Sequence, residues 1–158
     1  MRVKPLNVEQ FLRNAGGYME QYFSGQSIFT EGLSSTNITG GIETHVVKSG
    51  IVNGLCQLSC LHTSASILVQ ENASADAQRD LMKFLARVAP MQSGLYEHDI
   101  EGMDDMPAHL RTAITQTHIT MSIRDGRLVL GEWQGIFLLE HRQTGSQREL
   151  RIHIMGSH

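Results

Sequence analysis

Residues 60–67, Cys-Leu-His-Thr-Ser-Ala-Ser-Ile, form a polar stretch between two segments that read as apolar strands, and Glu71 and Asn72 follow the second. A packed strand would need a partner for each buried imidazole or hydroxyl. On these residues alone, a Ser/Thr-rich turn with a surface histidine is the simpler interpretation. A second polar cluster downstream favours another interpretation, in which the two polar segments are the halves of one site. Its members are His98, Glu101, Asp104, Asp105 and His109.

The residues on both sides of this stretch follow strand and helix patterns. Strands are predicted over residues 55–61 and 66–70, and Ser74 is expected to cap a helix over residues 75–88 that Pro90 ends. Apolar residues recur at helical spacing along this helix, which predicts one side that faces the core. They are Ala77, Leu81, Phe84, Leu85 and Val88.

The N-terminal part of the chain is patterned less clearly. A short helix is expected over residues 7–15, followed by a strand interrupted by a bulge within residues 18–29. A second helix is expected over residues 40–50, with Asn37 or Thr39 as its N-cap. Two glycines at its start weaken that helix.

The C-terminal part turns from helix to strands. A helix is expected to open at residues 106–107, where the proline suits the first turn. Downstream, Arg-Asp-Gly at residues 124–126 is a strong signal for a hairpin. The strands are expected over residues 117–123, 127–131, 133–141 and 148–154.

These elements predict an α+β domain of mainly antiparallel sheets packed with two or three helices and closed by a meander. With 158 residues, of which 41% are hydrophobic, the chain is expected to form one domain with a packed core. The net charge of −3, without clustered Lys or Arg, excludes a basic footprint for nucleic acid. No apolar run approaches the ~20 residues that cross a bilayer, and no signal peptide is evident, so we expect a cytoplasmic location without membrane contact.

The two cysteines, Cys56 and Cys60, are four residues apart in the predicted strand. An extended chain separates them by roughly 13 Å, whereas a disulfide needs Cα atoms within about 7 Å. We therefore expect reduced, buried thiols. Cys60 could still reach the polar stretch as a soft metal ligand or a reactive thiol.

Several blocks of the sequence resemble the YjbQ-like family, in the order and at the spacing of that family. They run from about residue 37 to the C-terminus, and the segment before residue 20 matches poorly. The blocks are His62-Thr63-Ser64-Ala65-Ser66, Gln70-Glu71-Asn72, Glu101-Gly102, Asp104-Asp105-Met106-Pro107-Ala108-His109-Leu110, Asp125-Gly126-Arg127-Leu128 and Leu130-Gly131-Glu132-Trp133-Gln134-Gly135-Ile136.

The resemblance implies a YjbQ-like fold of two packed sheets with helices, assembled as a homotrimer with clefts at the subunit interfaces. It also implies a secondary thiamine-phosphate synthase activity, which joins a pyrimidine diphosphate to a thiazole phosphate with release of diphosphate. A metal is implied at a cleft whose matching positions here are His62, His98 and His109. The chain departs from the family pattern at Gln116, His118 and Ser122, in a stretch implied to contact the substrate.

The spacing of the three histidines matches no zinc-finger or helical metal motif, so the metal hypothesis depends on context. His109 near a helix start would be kept neutral by the helix dipole, and neutral imidazole is the form that binds metal. Three histidines are suitable ligands for Zn²⁺, Ni²⁺ or Fe²⁺. Mg²⁺ prefers oxygen ligands, so it is expected only together with a diphosphate substrate. A helix-start histidine bonded to Asp105 is the alternative for His109. The nearby carboxylates could orient a ligand ring.

Substrate contacts are expected from hydroxyl and amide side chains. Thr63, Ser64 and Ser66 could donate to phosphate oxygens, although local capping bonds explain them equally well. Asn72 belongs to the same candidate set, and Gln134 is expected to face a cleft. The neighbouring Trp133 is expected to anchor the core instead.

Three candidate catalytic residues follow, namely Glu71 as a general base together with Asp105 and His62. Glu71 could equally be a solvated residue ahead of a helix. Three functions therefore stay open. The first is a metal-assisted transferase resembling thiamine-phosphate synthase, the second a metal-dependent hydrolase of a phosphorylated metabolite, and the third a non-catalytic trimeric metal- or ligand-binding protein. The remaining histidines, including His118 and His141, are expected to be surface or core residues.

Overall fold

The computed structural model describes residues 19–158, which form eight strands and three helices. In chain order the elements are β1 (Glu20–Phe29), β2 (Ser34–Asn37), α1 (Thr39–Ser49), β3 (Asn53–Cys60), β4 (Ala65–Glu71), α2 (Ala75–Val88), α3 (Asp105–Ile114), β5 (His118–Arg124), β6 (Arg127–Leu128), β7 (Gln134–Glu140) and β8 (Gln147–Ser157). The helix predicted over residues 7–15 lies outside the described residues.

The strands make two antiparallel sheets, which confirms the α+β prediction. The larger sheet has the order β1-β8-β3-β5-β6 and the smaller one the order β2-β7-β4. Residues of both sheets, such as Leu58 and Ile152 from the larger and Ile67 and Leu138 from the smaller, belong to one buried cluster. The core therefore lies between the two sheets.

The polar stretch lies where the chain passes from one sheet to the other. Cys60 ends β3 in the larger sheet, and Ala65 begins β4 in the smaller one. Residues 61–64 belong to neither ladder, so their backbone and side-chain polar groups are free to bond to other parts of the chain. This crossing explains why the sequence is polar between two apolar strands.

Several local predictions are confirmed. Ser74 caps α2 by accepting a hydrogen bond from the backbone N–H of Asp76 at 3.2 Å. The hairpin turns through Asp125 and Gly126, whose φ angles of 53° and 72° are typical of a type I′ turn. Both cysteines are buried and unpaired with each other.

Other local predictions are wrong. β1 pairs with β8 in one unbroken register from Glu20↔Gly156 to Phe29↔Gln147, without the expected bulge. Neither Asn37 nor Thr39 provides the side-chain cap that was expected for helix α1. Oδ1 of Asn37 accepts from the backbone N–H of Thr39, the first residue of the helix, and not from a residue further along it.

The prediction of a closing meander is also wrong. β7 does not belong to the larger sheet but pairs with β2 and β4 in the smaller one. β7 is buried along almost its whole length, from Gly135 to Glu140. A strand with both faces buried belongs in the centre of a sheet that is packed on both sides, and β7 has that position in the smaller sheet.

Two predicted core residues of α2 are exposed. Leu85 is buried against Phe137 and Leu139 of β7, but Phe84 and Val88 are each about half exposed. The smaller sheet has three strands, so it covers only a narrow stripe of the helix. None of the helices within residues 19–158 is long and apolar enough to span a membrane.

Candidate functional site

Three side chains of the second polar cluster meet at the start of α3. Asp105 and His109 are one helical turn apart and share a face of α3, and His98 approaches from the preceding loop. Oδ2 of Asp105 lies 2.8 Å from Nε2 of His98 and 3.3 Å from Nε2 of His109. The three ligand atoms all lie within 4.8 Å of one another. We call these three residues the His-Asp-His cluster.

The hydrogen bonds of His109 leave a lone pair that faces the cluster. Its Nδ1 lies 2.9 Å from the carbonyl oxygen of Thr63, which can only accept, so Nδ1 carries a proton. In the neutral ring Nε2 is then an acceptor, and it faces the carboxylate of Asp105. Two acceptors at this distance repel each other unless a cation, either a proton or a metal ion, stands between them.

Arginine 142 holds the carboxylates of this cluster in place. Arg142 Nη1 donates to Oδ1 of the buried Asp105, which leaves Oδ2 directed at the two histidines. The same guanidinium donates from Nε to Oδ2 of Asp104 at 3.0 Å. Burial alone would raise the pKa of Asp104, but hydrogen bonds from the backbone of Gln143 and from Arg142 lower it. Asp104 is therefore engaged away from α3 and makes no side-chain cap.

A cavity of about 730 Å³ opens beside this cluster and has His109 in its wall. Thr112 also lines it, only 7% exposed, and its buried Oγ1 has no hydrogen-bond partner among residues 19–158. Gln116 and His118, two of the positions that depart from the family pattern, lie in the same wall. The wall is completed by residues 60–63, Ala113, Thr115 and Thr117, and residues 19–158 contribute no Lys, Arg, Asp or Glu to it.

His62 lines this cavity but does not belong to the His-Asp-His cluster. Its Nε2 accepts a hydrogen bond from the backbone N–H of Glu149 at 2.7 Å. Burial and the charge of Arg148 lower the pKa of His62. The predicted trio of His62, His98 and His109 is therefore not brought together as three nitrogen ligands, and the carboxylate of Asp105 takes the third position.

The hydroxyl residues of the polar stretch are used differently from one another. Thr63 lines the cavity and lends its carbonyl oxygen to His109. The carbonyl oxygen of Ser64 accepts from the backbone of His141 at 3.3 Å. Ser66 is fully buried and bonds through Oγ to Nε2 of His141 at 2.8 Å, so its hydroxyl does not reach a ligand.

Glu71, Asn72 and Gln134 lie at the opposite end of β4 from the cluster. Glu71 is six residues beyond Ala65, which corresponds to roughly 20 Å of extended strand. Glu71 and Gln134 border a depression of about 510 Å³, and Asn72 borders another of about 580 Å³. Within one protomer these residues are separate from the cluster. Trp133, expected in the core, is 60% exposed beside Glu71.

A buried polar network, which was not predicted from the sequence, contacts the polar stretch at the Ser64 carbonyl oxygen. Arg148 and Glu140 form a buried ion pair with Nε and Oε2 2.6 Å apart, and Thr30 donates to the same carboxylate at 2.6 Å. Burial would raise the pKa of Glu140, but these hydrogen bonds lower it. The partners lie on different elements, so their pairing could not be predicted from the sequence. The one available signal was a charged residue, Glu140, next to His141 at the end of an otherwise apolar strand.

Cys60 does not belong to the His-Asp-His cluster. Its Sγ lies 3.6 Å from the carbonyl oxygen of Ala65 and is buried. Burial raises the pKa of the Cys60 thiol to about 11, so the reactive thiolate is not populated at neutral pH.

Comparison with known proteins matches the fold and the motifs to one family. Residues 27–157 match the family model described as UPF0047 protein YjbQ-like. The chain belongs to the YjbQ family. A UPF0047 protein of Synechocystis is 47% identical over 129 residues, which cover 82% of this chain and 88% of that protein. The UPF0047 protein YjbQ of Escherichia coli O157:H7 is 40% identical over 122 residues, covering 71% of this chain and 88% of that protein.

Solved structures of YjbQ-family and similar proteins have the same fold. A YbjQ-like protein of unknown function from Sulfolobus solfataricus superposes with a TM-score of 0.82 at 28% identity, covering 89% of this chain and all of that one. A conserved hypothetical protein from Thermus thermophilus gives a TM-score of 0.73 at 31% identity, covering 82% and 97% of the two chains. These matches establish the family and the α+β fold.

Proposed function

We propose that this YjbQ-family chain is a metal-dependent enzyme that acts on a phosphorylated small molecule in the cavity beside the His-Asp-His cluster. The observation that carries the proposal is the position of His109, which belongs to the cluster and to the wall of the cavity at once. A bound cation there would meet a ligand directly. The reaction that the sequence resemblance implies, thiamine-phosphate synthesis from a pyrimidine diphosphate and a thiazole phosphate, is the first candidate.

The donor set fits a transition metal better than Mg²⁺. Two imidazoles and one carboxylate are the ligands of catalytic Zn²⁺ and of non-haem Fe²⁺, both of which keep positions open for a substrate. Mg²⁺ prefers oxygen ligands and would need the diphosphate to supply them. A bound metal would supply charge neutralisation for a leaving diphosphate.

The residues of the chain itself would position the reactants. Arg142 fixes the carboxylate of Asp105, and the Thr63 carbonyl fixes the ring of His109, so both ligand atoms are oriented before a metal binds. The part of the chain that the structure describes places no Lys or Arg in the wall of the cavity to bind a phosphate. The cation at the cluster is therefore the group in this cavity that would draw in an anionic substrate.

The hydrolase and the non-catalytic binding protein are the alternatives. A hydrolase with Glu71 as its base needs that carboxylate beside the metal, but Glu71 lies at the far end of β4. Such a base would have to come from another protomer. The homotrimer implied by the resemblance therefore belongs to the same proposal, with Glu71, Asn72 and Gln134 as candidate contributions from a neighbouring copy.

The test combines metal analysis with product measurement. Purified protein is expected to hold about one Zn²⁺ or Fe²⁺ per chain by elemental analysis and to release diphosphate from the pyrimidine diphosphate and thiazole phosphate. A chelator should stop the release, and added Zn²⁺ should restore it. Release that continues in metal-free protein would contradict the proposal. Tight metal binding without release across a panel of phosphorylated metabolites would favour the non-catalytic alternative.

A further inference from the structure

The ring of His62 closes the end of the β3–β8 ladder. Cys60 is the last residue of β3 to pair with β8, opposite Leu150, and the Leu61 N–H still reaches the Glu149 carbonyl oxygen at 3.1 Å. Glu149 pairs with Ser27 of β1 on one side, but on the β3 side the pairing has ended, and its N–H bonds to His62 Nε2 at 2.7 Å. A flipped ring would set a carbon against this N–H and leave it unpaired, so the observed orientation is the one that satisfies the backbone.

This hydrogen bond decides which nitrogen of His62 carries the proton. Nε2 accepts, so the proton of the neutral ring is on Nδ1. In the described part of the chain, Nδ1 has no hydrogen-bond partner and is not fully buried. His62 lines the cavity, its Nε2 lone pair is taken by the Glu149 N–H, and the Nδ1–H is the ring's remaining polar group for a ligand.

We propose that His62 is a ligand-binding residue that donates from Nδ1 to a phosphoryl oxygen held in the cavity, and that it is not a metal ligand or a general base. The phosphoryl ligand rests on the proposed function, because the charge of the phosphate would be neutralised by the cation at the His-Asp-His cluster. The donor state of His62 rests on the Glu149 hydrogen bond alone.

Two substitutions separate the roles of the two ring nitrogens. Nδ1 is two bonds from Cβ, as is the amide nitrogen of Asn, and Nε2 is three bonds from Cβ, as is the amide oxygen of Gln. His62→Gln therefore keeps an acceptor for the Glu149 N–H, but its amide nitrogen is also three bonds from Cβ, so no donor remains at the position of Nδ1. His62→Asn keeps a donor at the position of Nδ1 and has no acceptor at the position of Nε2.

The first measurement is the binding of inorganic phosphate to zinc-loaded protein by calorimetry. We expect His62→Gln to bind phosphate about three- to tenfold more weakly, with its zinc content unchanged. His62→Asn should bind phosphate within about twofold of the wild type while melting at a lower temperature. Equal phosphate affinity in His62→Gln and wild type would overturn the proposal, and so would loss of zinc in His62→Gln.

The second measurement is independent of any ligand or metal. Nitrogen-15 NMR of the histidine rings, with His62 assigned by comparison with His62→Asn, is expected to show Nδ1 protonated and Nε2 unprotonated at neutral pH. The opposite tautomer would overturn the donor assignment. If the wild type retains no zinc, the proposed function fails, whereas the tautomer measurement still decides the state of His62.

Discussion

At the residue scale, the cluster depends on side chains whose orientation is set before a ligand arrives. His109 is held by the Thr63 carbonyl oxygen and Asp105 by Arg142. Each contact occupies one polar atom of the side chain, Nδ1 of His109 or Oδ1 of Asp105. The other polar atom, Nε2 of His109 or Oδ2 of Asp105, is directed at the centre of the cluster. Fixed ligands bind a metal without first losing rotamer freedom.

The first prediction concerns these ligand residues. Asp105→Asn and His109→Ala should each lower zinc affinity by more than about a hundredfold, because removal of a residue that only orients a ligand already costs 10- to 100-fold. Competition with a fluorescent zinc indicator measures the affinity. His45→Ala is the matched control, since this histidine of α1 contacts Tyr22, outside the cluster. Wild-type affinity in either ligand variant would show that zinc binds elsewhere.

The second prediction concerns His141, a buried histidine outside the cluster. Burial lowers the pKa of His141 to about 4, and the charges of Arg111 and Arg148 add to the shift although Glu140 opposes it. In the unfolded chain the ring has a pKa of about 6.5. The unfolded state therefore binds a proton first as the pH falls, and stability is lost between about pH 6.5 and pH 4.

This loss is measurable by urea unfolding at several pH values. The shift corresponds to a free energy of unfolding on the order of 3 kcal/mol lower at pH 4 than at pH 7. His141→Gln removes the titration and should flatten this part of the profile, while its stability at pH 7 is lower because the bond to Ser66 changes. An unchanged slope in His141→Gln would show that other groups cause the pH dependence.

At the scale of elements, β7 and β8 carry the support for the polar stretch. β7 ends in Glu140 and β8 begins near Arg148, so the two strand ends of different sheets meet in a buried ion pair. The Ser64 carbonyl oxygen lies within 3.4 Å of Arg148 Nη2. The loop that presents His62 and Thr63 to the cavity is therefore tied to both sheets.

The third prediction tests this ion pair. Arg148→Met leaves the carboxylate of Glu140 buried with fewer partners, and the free energy of unfolding should fall by about 3–5 kcal/mol. The double variant Glu140→Leu/Arg148→Met removes both charges and should recover most of that loss. Guanidinium unfolding of the three proteins measures the difference. A double variant no more stable than Arg148→Met would mean that the loss comes from packing rather than from the unpaired charge.

At the scale of the whole molecule, one face of the larger sheet carries exposed apolar side chains. Phe23 and Phe29 of β1 are 70% and 68% exposed, and Leu55 of β3 is 44% exposed. Their positions in the register place them on the same side of the sheet, opposite the core. No element within residues 19–158 covers this face, and exposed apolar patches of this kind mark interaction surfaces.

The fourth prediction follows from this face and from the trimer that the family resemblance implies. Light scattering is expected to give three times the mass of the 17.6 kDa chain at micromolar concentration. Phe23→Asp should shift the population towards monomer, because it places a charge on the buried face of an interface. Val47→Asp is the control, an exposed apolar position on α1. A wild-type protein that is monomeric at this concentration would contradict the trimer and any site shared between subunits.

The sequence by itself determined the features that depend on neighbouring residues. The alternation of β5, with Ile119, Met121 and Ile123 buried, sets its inner face whatever it pairs with. The Ser74 cap and the Asp125-Gly126 turn depend on hydrogen bonds and φ angles within a few residues. Such signals act over one turn or one strand and can be read from the chain directly.

Only the tertiary structure decided the pairings between distant residues. Arg142 meets Asp105 across 37 positions of sequence, and Glu149 meets His62 across 87. The family resemblance grouped His62 with His98 and His109 because of their places in the motifs. Whether a histidine offers a lone pair or an N–H depends on what its other nitrogen bonds to, and that partner is set by the packing of the two sheets.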